Sequence, residues 1–301
     1  MMKKYFFTTL AIFGLMANSG KAQQIDTLLD VGGYRLFFHI IKGKGMPILF
    51  HNGSGADVTI WDTILKPIAA VTHATLITYD RAGFGKSELD SSNQELDKHG
   101  IQQGLQGLET ALKKLGYNGK IMLIASSYGG FYAALQAAKQ PATVKSVVLV
   151  DANHVGWFTD TYVADEMKDR IKDSATVKKQ NLGFYYQSLN LQNTVELLKK
   201  TPFPATVPVI DIVSEINFPD SVRSTRWSIS QKQFVAAQPN RQGITAHGCR
   251  HVIFKDNPAL VVNAVVKAYT GAVGKEQGNE IMKRFISYSL EALNHTPCST
   301  K

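Results

Sequence analysis

Three residues whose types could do covalent chemistry together are met in the order Ser127, Asp151 and His251. Ser127 lies in the stretch Ile121-Met122-Leu123-Ile124-Ala125-Ser126-Ser127-Tyr128-Gly129-Gly130, and Phe131 to Ala138 then reads as a helix rich in small residues. Strand, tight turn and helix in this order form a nucleophile elbow, which lifts a serine hydroxyl clear of the sheet. The turn crowds the backbone, so small residues are needed two before and two after the serine. Ala125 and Gly129 meet that need, Ala125 with one methyl more than the usual glycine. A plain polar turn between a buried strand and helix is the alternative.

A serine hydroxyl becomes a useful nucleophile only when a neighbouring base takes its proton and a third group orients that base. His251 follows the last strand-like run, Gly243 to His247, and is the candidate base. Asp151 closes the apolar run Val144 to Val150, one helix and one strand after Ser127, and is the candidate acid. Glu215 and Asp220, in the turn after the next strand, are its rivals. Two backbone amides are candidates to stabilise an oxyanion: that of Tyr128 at the start of the elbow helix, and that of Ser54 in the turn Asn52-Gly53-Ser54-Gly55. No histidine and carboxylate cluster has metal-ligand spacing, so neither a metal nor a cofactor is expected.

The elements that must hold these groups can be read in order. Ile25 to Lys42 alternates loosely around Gly32-Gly33, an opening hairpin. Pro47 to His51 and Thr75 to Tyr79 are buried strands, Asp57 to Ala70 and Ile101 to Leu115 are helices, and Val207 to Val213 is a further strand. Pro258 to Tyr269 is the closing helix and Glu280 to Leu293 a tail helix. Strands alternating with helices at this spacing predict an α/β fold with a mostly parallel sheet covered on both faces, functional groups gathering at the strands' carboxyl ends. Residues 152–206 break the alternation, with helical patterning at Val163, Met167 and Ile171 and aromatic residues at Phe184, Tyr185 and Tyr186. They read as a helical lid insertion, a structural connection being the alternative. Asp80 to Ser87 mimics a phosphate loop, but Asp80 stands where a Walker motif needs its first glycine, so nucleotide binding fails at its own spacing.

With 301 residues, 44% hydrophobic and 19% charged, the chain can bury one large core. Lys3 and Lys4 precede an apolar run from Tyr5 to Met16 and a small-residue stretch ending at Ala22, the pattern of an export leader cut after Ala22. That run is too short to span a bilayer, so a periplasmic or extracellular protein without stable membrane insertion is expected. The domain would then occupy 23–273, with a tail at 274–301. The formal net charge is +9, of which the leader holds Lys3, Lys4 and Lys21; the remaining basic residues are scattered, which argues against a nucleic-acid partner. The two cysteines, Cys249 and Cys298, could pair in an oxidising compartment but make no disulfide framework. Oligomeric state is not legible.

Taken together, Leu49 to Gly55, Tyr79 to Ser87, the elbow, Val148 to Asp151 and His251 resemble the α/β-hydrolase superfamily over roughly 25–271. The resemblance implies acyl transfer, in which His251 takes the proton of Ser127, Asp151 orients His251, and the amides of Tyr128 and Ser54 bind the oxyanion. In most members the acid stands where this chain has Asn217; a subset carries it after the preceding strand, where Asp151 lies. Asn52 stands where the family's oxyanion turn usually has histidine. The elbow does not resemble the Gly-Gly-Ser-Trp-Gly of proline iminopeptidases, which disfavours a peptidase. The expectation is a serine hydrolase acting on a small-molecule carboxylic ester. The alternatives are a binding protein that keeps the fold without turnover, or a related reaction such as perhydrolysis or amide cleavage.

Overall fold

The computed structural model describes residues 23–288. The expected leader, residues 1–22, and Cys298 lie outside the described residues. A hairpin of β1 (Gln24–Asp30) and β2 (Arg35–Ile41) opens the chain, and its turn needs Gly32 and Gly33, whose φ angles of 105° and 102° suit only glycine. Then come β3 (Gly45–His51), α1 (Asp62–Thr72), β4 (Ala74–Tyr79), α2 (Ile101–Lys114), β5 (Ile121–Ser126), α3 (Gly129–Lys139) and β6 (Val144–Val150). Three helices follow, α4 (Asp160–Gln180), α5 (Leu182–Leu189) and α6 (Leu191–Lys200), before β7 (Val209–Ile216). The chain continues with α7 (Ser221–Ala236), β8 (Arg241–Arg250), the short α8 (Ile253–Asp256), α9 (Pro258–Ala272) and α10 (Lys275–Ser287).

The strands form one eight-stranded sheet in the order β1-β2-β4-β3-β5-β6-β7-β8, parallel from β4 to β8 and antiparallel at β1 and β2. Central strands are buried on both faces, which is why β3 to β6 carry apolar residues at both odd and even positions. Alternate residues divide between two core layers: Leu49, Leu123 and Leu149 pack with α2 and α3, and Ile48, Met122 and Val148 pack with α1 and α9. This arrangement places the ends of β5, β6 and β8 along one carboxyl edge.

Some boundaries differ from the sequence expectation. A 3₁₀ turn, Val58–Trp61, precedes α1, with the Asp57 side chain accepting from Thr59 N at its start. β8 is longer than its apolar core, because this edge strand is half exposed and its outward positions are polar. The tail helix begins at Lys275, before the expected Glu280, since Ile281 is buried in the core layer formed with α9. Helix α7 has no counterpart among the expected elements. Its apolar residues fall on several faces: Trp227 is buried, while Val222 and Ile229 are exposed, so no helical stripe marks it.

Candidate active site

Ser127 sits between β5 and α3 with φ 51°, a left-handed conformation that a residue with a side chain rarely adopts. The turn is held because Ser127 O accepts from Gly130 N and from Asn153 N, each at 2.9 Å. Gly129 is forced by close approach: a Cβ there would lie 2.2 Å from His51 O. At Gly130 it would lie 2.7 Å from Asn153 O, so the demand for small residues runs one position further than the motif. Ala125 is fully buried and paired with His51 of β3 and Leu149 of β6, so its extra methyl fits the core layer.

Asp151 also has a left-handed backbone, φ 47°, at the end of β6. Its side chain is fully buried and points into a cage of donors: Oδ1 accepts from Ser214 N at 3.1 Å and Trp227 Nε1 at 2.9 Å, and Oδ2 from Ser214 Oγ at 2.8 Å. His251 Nδ1 donates to the same Oδ2 at 2.6 Å. A carboxylate only accepts, so this bond fixes the proton on Nδ1 and leaves Nε2 able to act as a base. The rivals are engaged elsewhere. Glu215 accepts from Gly248 N at 2.7 Å and contacts His247 Nδ1 at 3.1 Å, while Asp220 caps α7 by accepting from Arg223 N. Asn217 turns back on β7, its Nδ2 donating to Ser214 O at 2.8 Å and its Oδ1 lying against Ser214 Oγ, so it braces the serine that holds Asp151. Ser127 shares no hydrogen bond with His251; such bonds often tighten only when substrate binds.

The second amide, that of Ser54, lies in a loop packed against the elbow. A side chain on Gly53 would begin 3.3 Å from Ser127 Cβ. Asn52 is buried and holds the loop from below, its Nδ2 donating to Tyr79 O and its Oδ1 accepting from Trp61 Nε1. The phosphate-loop mimic has a structural purpose. Buried Asp80 accepts from Val58 N and Lys86 N, each at 2.8 Å, and a Cβ at Gly85 would collide with its carboxyl. Burial pushes the Asp80 pKa up against those two hydrogen bonds. His51 lies nearby, between Tyr79 and Gln136.

Helix α5 packs against this loop. Gly83 and Gly183 pack backbone to backbone, and Gln187 donates to Ser54 Oγ and accepts from Arg81 Nη2 at 3.3 Å. Arg81, Gln187, Ser214 and Trp227 were not singled out in the sequence, where only Asp80 next to Arg81 offered a signal. Two cavities lie nearby, of about 400 Å³ beside Arg81 and Tyr128 and about 520 Å³ beside Gly130 and Asn153; neither is lined by Ser127, Asp151 or His251. Among the described residues no group of three or more His, Cys, Asp or Glu is placed to hold a metal ion, and no helix is long and apolar enough to cross a membrane.

The chain matches the alpha/beta hydrolase fold family over residues 46–297. A relative called uncharacterized protein YqjL, from Bacillus subtilis, is 25% identical over 235 residues, 78% of this chain and 87% of that protein. A proline iminopeptidase from Saccharolobus solfataricus is 23% identical over 204 residues, 66% of this chain and 60% of its own length. Among solved structures, a thermophilic esterase from Thermogutta terrifontis superposes with a TM-score of 0.64 at 17% identity, covering 84% of this chain and all (100%) of that one. An epoxide hydrolase from Vigna radiata superposes with a TM-score of 0.64 at 14% identity, covering 81% and 97%. With the sheet order, the elbow and this match over most of its length, the chain belongs to the α/β-hydrolase fold family.

Proposed function

We propose that this protein is a serine hydrolase that cleaves a carboxylic ester of a small molecule through an acyl-enzyme. The observation that carries the reading is the 2.6 Å bond from His251 Nδ1 to buried Asp151, at the same sheet edge as the strained Ser127. In the first step Ser127 Oγ bonds to the ester carbonyl carbon while its proton passes to His251 Nε2. The carbonyl oxygen becomes an oxyanion facing the amides of Tyr128 and Ser54. The intermediate collapses by breaking the bond to the alkoxy oxygen, which leaves as the alcohol with the proton from His251. Water then repeats the sequence on the acyl-serine, releasing the acid and restoring Ser127.

The identity of the nucleophile supports acyl chemistry over epoxide opening. Attack of a serine hydroxyl on an epoxide would leave an ether, which His251 and water could not hydrolyse, whereas an acyl-serine ester is hydrolysable. The 152–206 insertion is read as the lid over the acyl and alcohol pockets, and the chain as exported after cleavage at Ala22. N-terminal sequencing of the extracellular or periplasmic form tests that last point. Amide cleavage is the second reading, favoured by relatives named proline iminopeptidases.

A fluorophosphonate probe reacts only with an activated serine, so wild-type protein is expected to label and Ser127→Ala to remain unlabelled. A panel of p-nitrophenyl esters of graded chain length, run beside proline p-nitroanilide, ranks the substrate classes. Folded wild-type protein that neither labels nor hydrolyses any ester would leave the non-catalytic binding reading in its place.

A further inference from the structure

Arg81 is a buried cation, and among the described residues it forms no ion pair with a carboxylate. Two of its hydrogen bonds go to backbone: Nη1 donates to Asn52 O and Nη2 to Gly53 O, the latter at 2.6 Å, beside the bond from Nη2 to Gln187 Oε1. In a trans peptide the C=O and N–H of one unit point to opposite sides. A donor that grips Asn52 O and Gly53 O therefore turns the N–H groups of Gly53 and Ser54 away from Arg81. The loop so held lies against Ser127. Hydrogen bonding at a carbonyl also polarises its own peptide, which strengthens the N–H of that unit as a donor, and the low dielectric around a buried guanidinium preserves the effect.

We propose that Arg81 is a positioning residue for the reaction, clamping and polarising the two peptides of the oxyanion loop from behind, with Gln187 of α5 completing the clamp from the insertion. The inference rests on the serine-hydrolase reading above. The planar fork of arginine suits the task, since it bonds two adjacent carbonyls at once, which a lysine ammonium on a flexible stem does less well. The rings of Tyr128, Tyr132 and Phe84 pack 5.4 to 5.5 Å from the guanidinium carbon and keep the side chain in place. Gln187 reaches both halves of the device, Ser54 Oγ and Arg81 Nη2, so docking of α5 and shape of the loop are linked.

The test uses p-nitrophenyl butyrate turnover, inhibition by a trifluoromethyl ketone that mimics the tetrahedral adduct, and thermal melting of each variant. Arg81→Gln is expected to lower kcat about 10- to 100-fold, less than the roughly 10²- to 10³-fold of losing an oxyanion donor outright because the amides themselves remain, with KM within about threefold. Ketone affinity should fall by the same factor as kcat/KM, because both report binding of the adduct. Arg81→Lys should recover part of the loss, and Gln187→Leu should lower kcat about three- to tenfold without changing the melting temperature. A folded Arg81→Gln with wild-type kcat and ketone affinity overturns the clamp. If neither Arg81 variant folds, Gln187→Leu decides: unchanged kcat and ketone affinity overturn it. Wild-type protein that is inert to fluorophosphonate overturns the serine-hydrolase reading and this inference together, whereas active wild-type with silent variants overturns this one alone.

Discussion

Asp151 has both carboxylate oxygens committed before His251 is counted, and that commitment decides what its replacement would do. Ser214 N and Trp227 Nε1 donate to Oδ1 and Ser214 Oγ to Oδ2, so the charge is held by fixed donors with no water access. Asparagine is of equal size, but an amide group facing His251 Nδ1 favours the tautomer with its proton on Nε2, the wrong one for a base. Asp151→Asn is expected to lower kcat about 10⁴-fold, as in other triads, or about 5.5 kcal/mol of transition-state stabilisation. Glu215→Gln and Asp220→Asn should stay within a few-fold of wild type, since neither contacts His251. Steady-state kinetics alongside melting curves distinguish these outcomes, and near-wild-type kcat in Asp151→Asn would remove it from the site. Trp227→Phe, which withdraws one donor, should cost about tenfold, in line with partners that support a catalytic group from outside.

At the scale of elements, the elbow is the joint on which the rest is fitted. Gly129 brings α3 against the end of β3, and a Cβ there meets a backbone oxygen that no rotamer change can move. Gly129→Ala is therefore expected to destabilise the fold by about 1–3 kcal/mol, the usual range for overpacking, and to displace Ser127 enough to lower phosphonate labelling. Chemical denaturation and labelling rate measure the two effects; unaltered values in both would mean that the joint is softer than its contacts indicate. The elbow was legible because it is local: a doubly buried strand, a small-residue turn and a helix follow one another without a gap. Asp151 and His251 were legible by position at strand ends. The parts that support them were not. Trp227 lies on α7, a helix whose apolar residues show no stripe, and Ser214 is one polar residue inside a strand. Arg81 and Gln187 meet across more than a hundred residues of chain, and no spacing records such a contact.

Over the whole molecule, the loop and core behind the site share a buried ionisable group whose titration reaches global stability. His51 is fully buried, with Nε2 donating to Gln136 Oε1 at 2.9 Å and Nδ1 accepting from Tyr79 Oη at 3.0 Å, an arrangement that suits neutral imidazole. Burial pushes its pKa down from 6.5 to about 3, and the charge of Arg81 acts in the same direction. Between those two values the unfolded chain binds a proton at this histidine that the folded chain does not. Stability from His51 is therefore fully present above pH 6.5 and is lost as pH falls toward about 3. Each pH unit inside that window is worth about 1.4 kcal/mol. His73, also lowered by burial, adds a smaller effect of the same sign. Asp80, raised by burial, acts oppositely, in a window that begins above its ordinary 3.8. The upper part of the window therefore belongs mainly to the histidines. Urea unfolding at pH 7, 6 and 5 should show wild-type stability falling with acid, while His51→Gln, less stable at pH 7 for its lost packing, should show a flatter dependence. An equal slope in wild type and variant would mean that His51 takes up its proton in the fold as readily as in the unfolded chain, and that the bonds to Tyr79 and Gln136 do not hold the ring neutral.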